Sequence, residues 1–503
     1  MSRESSQPRA EVAEGGLINP DLAPTPPEQR TWNRWHLASL WVGMSVCIPT
    51  YMLAASMIDA GMTWWESLLT ILLGNALVLI PLAINGHAGT RYGIPFPIYA
   101  RASYGIRGAH LPSLLRSLVA CGWFGIQTWI GGLALHAFIA ILWPAWNTLG
   151  GDWQMMGYSL PHYLSFLLFW LMNMYFVWRG TESIKWLETL AAPFLLLVGI
   201  ALLVWAARRV GGIGTILEQS NRLVQLQKRP PLLQYLLAVF IPWLTAMVGY
   251  WATLSLNIPD FTRYARSQKD QILGQAMGLL TTMPLFAFIG VAVTSATVLL
   301  YGEAIWNPIT LLERLTRETR SPLVGLVAML FLAIATLSTN IAANVVAPAN
   351  SFSNLFPRRI NFRLGGMIAG LIGIFSMPWK LLDAYQGWLI SYSGLLGAVG
   401  GVMVCDYLLV KRTRLQVPEL YRAGGAYWYR DGLNRPAMVA TAAGIGVALL
   451  GKLLPGLGFL FDGAWFSATL VSFGLYYLLM RKKLTTARTR SSKGVIRVEE
   501  QQT

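Results

Sequence analysis

Residues 111–143 read LPSLLRSLVACGWFGIQTWIGGLALHAFIAILW, thirty-three positions with one formally charged side chain, Arg116. A helix needs about 20 apolar residues to cross the hydrocarbon core, so this run is long enough to span a bilayer. Trp123 and Gln127 are four residues apart and share one helix face. In hydrocarbon the amide must find partners for its donors and its acceptor. Gly122, Gly125, Gly131 and Gly132 let another helix, or a ligand, approach the backbone closely. A flat π-face beside a donor/acceptor pair suits a flat, neutral molecule with amide edges. The same residues also suit a packing tryptophan and a helix-bridging glutamine, and alone they leave both readings open.

The rest of the chain is of the same kind. Of its 503 residues 54% are hydrophobic and 12% charged, and mean hydropathy is +0.48. That excludes an ordinary soluble domain and indicates a polytopic membrane protein. Residues 1–35, polar and proline-rich without the apolar core of a signal peptide, are expected to be a disordered cytoplasmic tail. The net charge of +16 is spread over loops rather than gathered in one patch. Membrane topology accounts for it without nucleic acid. Cys47, Cys121 and Cys405 lie in or beside apolar runs with no CxxC or His-rich spacing, so neither a disulfide framework nor a zinc site is indicated. No cofactor is expected.

The fold class expected is an all-α membrane protein with twelve transmembrane helices. They fall at about 37–58, 63–85, 111–142, 162–179, 184–206, 232–257, 275–301, 322–348, 364–379, 384–410, 436–454 and 463–480. With the N-terminus inside, 28 of the 39 Lys and Arg fall on the cytoplasmic side and about 10 on the other. The segment carrying Arg208, Arg209, Arg222, Lys228 and Arg229 runs against that rule. The segment from Asn85 to His110 is too polar to span and reads as a structured cytoplasmic loop.

Two spans are expected to be broken. In the first, Pro49 sits at mid-depth, where it removes a backbone bond and frees a carbonyl. The sixth has Pro242 near its start, Gly249-Tyr250-Trp251 near its middle and Pro259 at its end. Breaks five spans apart are the pattern of a transporter built from two inverted five-helix repeats with its site at the breaks. The repeats would be residues 36–206 and 232–410, followed by two extra helices over 436–480 and a cytoplasmic tail over 481–503.

In the eighth span Ser338 and Thr339 offer hydroxyl oxygens suited to a hard monovalent cation. The alternative is that each hydroxyl bonds back to its own helix. Asn344 follows five to six residues on. His136, within the third span, reads as a packed or boundary histidine. No carboxylate is placed as a counter-charge for a cationic substrate, and no Arg or Lys to hold an anion. A neutral substrate follows.

Together these segments resemble the nucleobase:cation symporter family, which transports uracil, cytosine, allantoin, hydantoins and related compounds. The resemblance rests on Ile48-Pro49-Thr50-Tyr51, Asn85-Gly86-His87-Ala88-Gly89-Thr90, Gly93-Ile94-Pro95-Phe96-Pro97, the Trp123–Gln127 stretch, the run from Trp251 to Arg263, and Ser338-Thr339-Asn340. It implies a leucine-transporter-like fold of ten core helices plus two. It also implies that Trp123 stacks on the substrate ring, that Gln127 and Asn344 bond its amide edge, and that Trp251 covers the other side. A sodium site would fall on the carbonyls of Gly43, Val46 and Ala335 and the hydroxyls of Ser338 and Thr339. Cys47 departs from the glutamine of the hydantoin-carrying branch, and the Pro49 and Gly86–Pro97 segments look more like the allantoin and uracil branches.

The function expected is import of such a heterocycle by symport with sodium or a proton through alternating access. An outer gate would come from the tenth helix around Gly394–Gly401. The protein is expected to act as a monomer in the plasma (bacterial inner) membrane, with both termini cytoplasmic. A membrane-embedded enzyme is disfavoured because the chain lacks a His/Asp/Glu cluster, a GxSxG turn and a HExxH helix. A channel would prefer a continuous polar pore to an aromatic-rich site.

Overall fold

The computed structural model describes residues 17, 19–179, 181–218 and 230–499, mostly as helix. Among these residues nine helices are long and apolar enough to cross a membrane, or eleven when two bent pairs each count as one span. Phe362–Phe375, on the ninth expected span, is a shorter apolar helix. Arg222, Lys228 and Arg229 lie outside the described residues.

The first span is two helices, α1 (Arg34–Ser45) and α2 (Ile48–Asp59), bent by 58°. Pro49 supplies the reason. It has no N–H to give the Ser45 carbonyl, and its ring would collide with that carbonyl in a continuous helix. Cys47 accordingly takes an extended conformation (φ −148°, ψ 157°) and Pro49 sits in the first turn of α2, where a missing N–H costs nothing.

The second span runs further than expected. Helix α3 (Trp64–Tyr92) continues through Asn85-Gly86-His87 and ends on Gly93, whose φ of +69° suits glycine. Helix α4 (Phe96–Tyr104) follows and is wholly buried. The expected loop is therefore largely helical. Its polar residues are tolerated because they bond a neighbouring segment: Asn85 Nδ2 donates to Ser255 O (2.7 Å) and Thr262 Oγ1 to Gly86 O (3.1 Å).

Helix α5 (His110–Leu142) holds the centre and is buried along most of its length. The four glycines of its middle stretch all serve close packing of protein. A Cβ at Gly132 would lie 2.8 Å from Phe166 Cα, and one at Gly131 would enter the Phe169 ring, both on α6 (Leu160–Arg179). Gly125 faces Gly373 and Ser376, and Gly122 faces Trp388. Helix α7 (Thr181–Val210) follows. His136 stacks on His162 at 4.1 Å, a packed histidine as expected.

The sixth span is not broken. Helix α8 (Leu232–Asn257) is continuous, with a π-helical turn at Leu236–Phe240 just ahead of Pro242. That wider turn accommodates the missing proline N–H without a kink. Gly249, expected to weaken the helix, instead lets α8 approach α14 (introduced below): a Cβ there would lie 2.7 Å from Leu389 O. The chain turns only at Ile258, before the short helix α9 (Pro259–Thr262). Gly249→Ala is expected to destabilise the protein by about 1–3 kcal/mol through overpacking. Its unfolding midpoint in detergent should fall, and an unchanged midpoint would show that these helices part freely.

Beyond it come α10 (Gln268–Tyr301), α11 (Pro322–Asn344), α12 (Val346–Leu355), α13 (Phe362–Phe375) and α14 (Tyr385–Cys405). Helices α11, α12 and α13 pack on α5, and α10 packs on α1, α2 and α3. Gly394, Gly397 and Gly401 pack α14 against residues of the last two spans, Ala464, Trp465 and Ser472 among them. The contacts of these three glycines are those of helix packing.

The N-terminal segment also differs from expectation. Residues 19–33 belong to the folded body rather than to a disordered tail, while 1–16 and 18 lie outside the described residues. Two 3-10 turns, Pro20–Leu22 and Pro27–Gln29, lead into a strap that is bonded along its length. Thr25 N donates to Gly93 O (2.8 Å) and Trp32 N to Tyr264 O (2.9 Å). Asn19 Nδ2 donates to Pro357 O (3.0 Å), and Leu22 O accepts from Tyr421 OH (2.8 Å). Backbone polar groups that find such partners order a segment whose composition alone suggests disorder.

Candidate substrate and cation site

The broken α1–α2 pair, α5, α8 and α11 converge on one internal cavity. Trp123, Gln127, Trp251 and Asn344, the four residues expected to hold a substrate, all line it. Met44, Cys47, Tyr250, Thr253, Leu254, Thr339 and Ala343 complete the wall. No lining side chain carries a formal charge, which matches the inference of a neutral ligand. The free volume is about 30 Å³, far below the roughly 300–1,000 Å³ of a formed ligand pocket. A ring enters only when the lining side chains move apart.

Trp123 Nε1 donates to Tyr392 OH (3.0 Å), and Trp251 Nε1 points to Met283 Sδ (3.0 Å). Trp251 is braced edge-to-face by Trp41, with ring centroids 5.0 Å apart. Both indoles are thus held in place, as a stacking platform requires. Gln127 differs. Its Oε1 is buried and has no hydrogen-bond partner, a state that costs about 1–3 kcal/mol and that a ligand N–H would relieve.

Tyr250 was missed by the sequence reading. Its ring stands edge-on to Trp123 (5.3 Å) and to Trp251 (4.7 Å). Its hydroxyl reaches Cys47 Sγ (3.1 Å) and Thr50 Oγ1 (3.0 Å) across the helix break. The signal was available: Tyr250 adjoins Trp251, and Cys47 lies in the break. Tyr385 and Tyr392 on α14 were missed as well. Tyr385 OH donates to Pro49 O (3.0 Å) on the broken helix, and its ring meets that of Trp123 at 6.0 Å.

The residues expected to hold a cation lie at the same convergence. Gly43 lies in the last turn of α1 and Val46 sits in the break, while Ala335, Ser338 and Thr339 are buried on α11, which packs on α1. The Cys47 N–H turns to Ser45 O (3.1 Å), leaving Gly43 O without its helical donor. Thr339 Oγ1 donates to Ala335 O (3.0 Å). This is the back-bonding alternative, and both oxygens keep lone pairs. The donor set is five uncharged oxygens, which fits a hard cation.

Buried charges lie away from the cavity. Arg116 Nε donates to Asn257 Oδ1 (3.1 Å), Asn257 Nδ2 to Asp260 Oδ2 (3.2 Å), and Phe96 N to Asp260 Oδ1 (2.9 Å). Burial lifts the Asp260 carboxyl above its ordinary pKa, against the Phe96 N–H and the nearby Arg263 and Arg116 charges. This chain of bonds ties α4, α5, α8 and α9 together.

Residues 24–467 match the family described as permeases for cytosine/purines, uracil, thiamine and allantoin. The chain is a member of the nucleobase:cation symporter family. It is 42% identical over 484 residues to a purine-uracil permease of Arabidopsis thaliana, covering 93% of this chain and 78% of the relative. It is 40% identical to an allantoin permease of Bacillus subtilis, covering 92% and 93%. Its structure resembles that of Mhp1, a nucleobase-cation-symport-1 transporter. Against the inward-facing form the TM-score is 0.78 at 26% identity, covering 94% of this chain and 95% of the other. Against the closed form with bromovinylhydantoin bound it is 0.75 at 27%, covering 93% and 96%. This symporter-family member is therefore a multi-pass membrane permease, not an enzyme.

Proposed function

We propose that this permease carries a neutral, planar, amide-bearing heterocycle of the uracil, allantoin or hydantoin type into the cell. A cation travels with it, and the protein alternates between outward- and inward-open states. One observation carries the reading: Trp123, Gln127, Trp251 and Asn344, drawn from three helices, line a single uncharged cavity beside the break in the first span. The indoles stack on the ring and the amides bond its edge. The names of the relatives point to the same substrate types. The twelve-span count, the paired five-helix repeats, the cytoplasmic termini and action as a monomer in the plasma (bacterial inner) membrane belong to the same proposal.

The cation joins α1 and α11 through Gly43, Val46, Ala335, Ser338 and Thr339, next to the ring. The contracted cavity is one stage of the cycle, and Tyr385 and Tyr392 stand where an outer gate meets the broken helix. The deciding experiment is counter-flow in proteoliposomes. Preloaded unlabelled uracil, allantoin or hydantoin should accelerate labelled uptake, with and without sodium. No acceleration by any of the three overturns the proposal.

Coupling is reciprocal: if sodium tightens substrate binding, substrate tightens sodium binding by the same factor. Thr339→Ala is expected to reduce both by about fivefold or more, the lower end of typical coupling. Isothermal titration at several sodium concentrations reads it. Unchanged substrate affinity at every concentration removes sodium from the scheme.

A further inference from the structure

The direction of the Asn344 amide is set from outside the cavity. On α6, Asn173 Nδ2 donates to the Phe169 backbone carbonyl (2.8 Å). A carbonyl only accepts, so this bond decides which end of Asn173 is the NH2 and leaves Oδ1 for its neighbour. The two N–H groups of Asn340 Nδ2 are shared among that Oδ1 (3.1 Å), the Phe124 carbonyl (3.2 Å) and Thr128 Oγ1 (3.1 Å). Turning Asn340 over would set oxygen against two fixed oxygens. Its Oδ1 therefore accepts from Asn344 Nδ2 (3.0 Å). With its NH2 engaged, Asn344 has Oδ1 left for the cavity that it lines.

Gln127 is the opposite case. Its Oε1 is buried without a partner, and among the described residues no backbone carbonyl decides which end of the amide faces the ligand. It is free to turn and to offer either oxygen or NH2.

We infer that Asn340 is a positioning residue that locks Asn344 as a hydrogen-bond acceptor. The permease thereby demands a ring N–H at the Asn344 edge, while Gln127 adapts to a donor or an acceptor at the other. The substrates are then cyclic ureides and imides with an unsubstituted ring N–H. A ring presenting a lone pair at that edge meets the Asn344 oxygen head-on. This rests on the reading of the cavity as the substrate site.

The test compares hydantoin with its ring-oxygen analogue oxazolidinedione and its N-methyl derivatives, and uracil with the corresponding oxazinedione and N-methyl forms. Each competes for labelled uptake by the full-length protein in proteoliposomes. Losing the N–H that faces Asn344 is expected to weaken binding at least about tenfold relative to the parent ring. In Asn340→Leu the Asn344 amide is free to turn. All affinities fall, but the ratio of parent to N–H-deleted ring should shrink at least about threefold. A purely structural role for Asn340 would lower both affinities alike and leave that ratio unchanged, which overturns the inference. The wild-type series decides without the variant: if no N–H deletion in either ring costs more than about threefold, the inference fails. Absence of binding by both parent rings is a different outcome, since it rejects the substrate site itself and the inference with it.

Discussion

Truncation of Trp123 to alanine is expected to weaken substrate binding by about thirtyfold or more, and concentrative uptake should be lost at ordinary substrate levels. In the proposed site the indole is the stacking face, which would contribute about 0.5–1.5 kcal/mol beyond the apolar area it covers. It also anchors the wall: its N–H goes to Tyr392, and its ring meets those of Tyr250 and Tyr385. Alanine removes the platform and leaves three aromatic side chains free to collapse into the gap. Removing a buried tryptophan also costs about 3–5 kcal/mol of stability, so binding must be measured on protein shown to be folded. Trp123→Phe keeps a ring face and loses the bond to Tyr392, and a drop of less than about tenfold is expected. Uptake constants for both variants in proteoliposomes give the comparison. Equal affinity in wild type and Trp123→Ala would remove the indole from the site.

Arg116→Met should lower stability by up to about 3–5 kcal/mol, because the buried Asp260 carboxylate then keeps only Arg263 as a nearby opposite charge. The guanidinium is 1% exposed and reaches Asp260 through the Asn257 amide. Without it the Asp260 carboxylate keeps its bond from Phe96 N but loses a nearby opposite charge. Adding Asp260→Asn should recover much of the loss, since the charge left behind is then gone. Strict additivity of the two effects would show that the groups do not interact. The pH dependence has a definite sign. Burial already raises the Asp260 carboxyl, and removing Arg116 raises it further. A carboxyl raised in the folded state contributes stability at low pH that is lost as pH rises through the folded value. The defect of Arg116→Met should therefore shrink on acidification from neutrality, read as the unfolding midpoint in detergent.

Much of the site was legible in the residues because it depends on short spacings. Trp123 and Gln127 share a face by helical geometry alone, and both line the cavity. Pro49 was read as a break, and α1 stops at Ser45. Gly249 and Pro242 predict a break in the sixth span, and the helix is continuous there. A glycine in a membrane helix weakens it only when nothing packs there, and here Leu389 and Ser393 do. The polarity of the Asn85–His110 segment predicts a loop. The segment is largely helical because the α8–α9 turn supplies bonding partners for Asn85, Gly86 and Thr90. Its place beside Trp251 marks Tyr250 as a neighbour of the cavity, but its hydroxyl reaches Cys47 and Thr50 some 200 positions earlier, a meeting that no local pattern specifies.

Run length, proline chemistry and four-residue periodicity are local, and they established from the residues alone a helical membrane protein, the break at Pro49 and the shared face of Trp123 and Gln127. The tertiary structure decided which glycines pack helices, that the sixth span stays whole, and which end of the Asn344 amide is held by Asn340. Those outcomes depend on pairs such as Asn340 and Asn173, 167 residues apart. A hydrogen bond over that separation exists only once helix crossings have brought donor and acceptor within about 3 Å, and no pattern along the chain specifies that meeting.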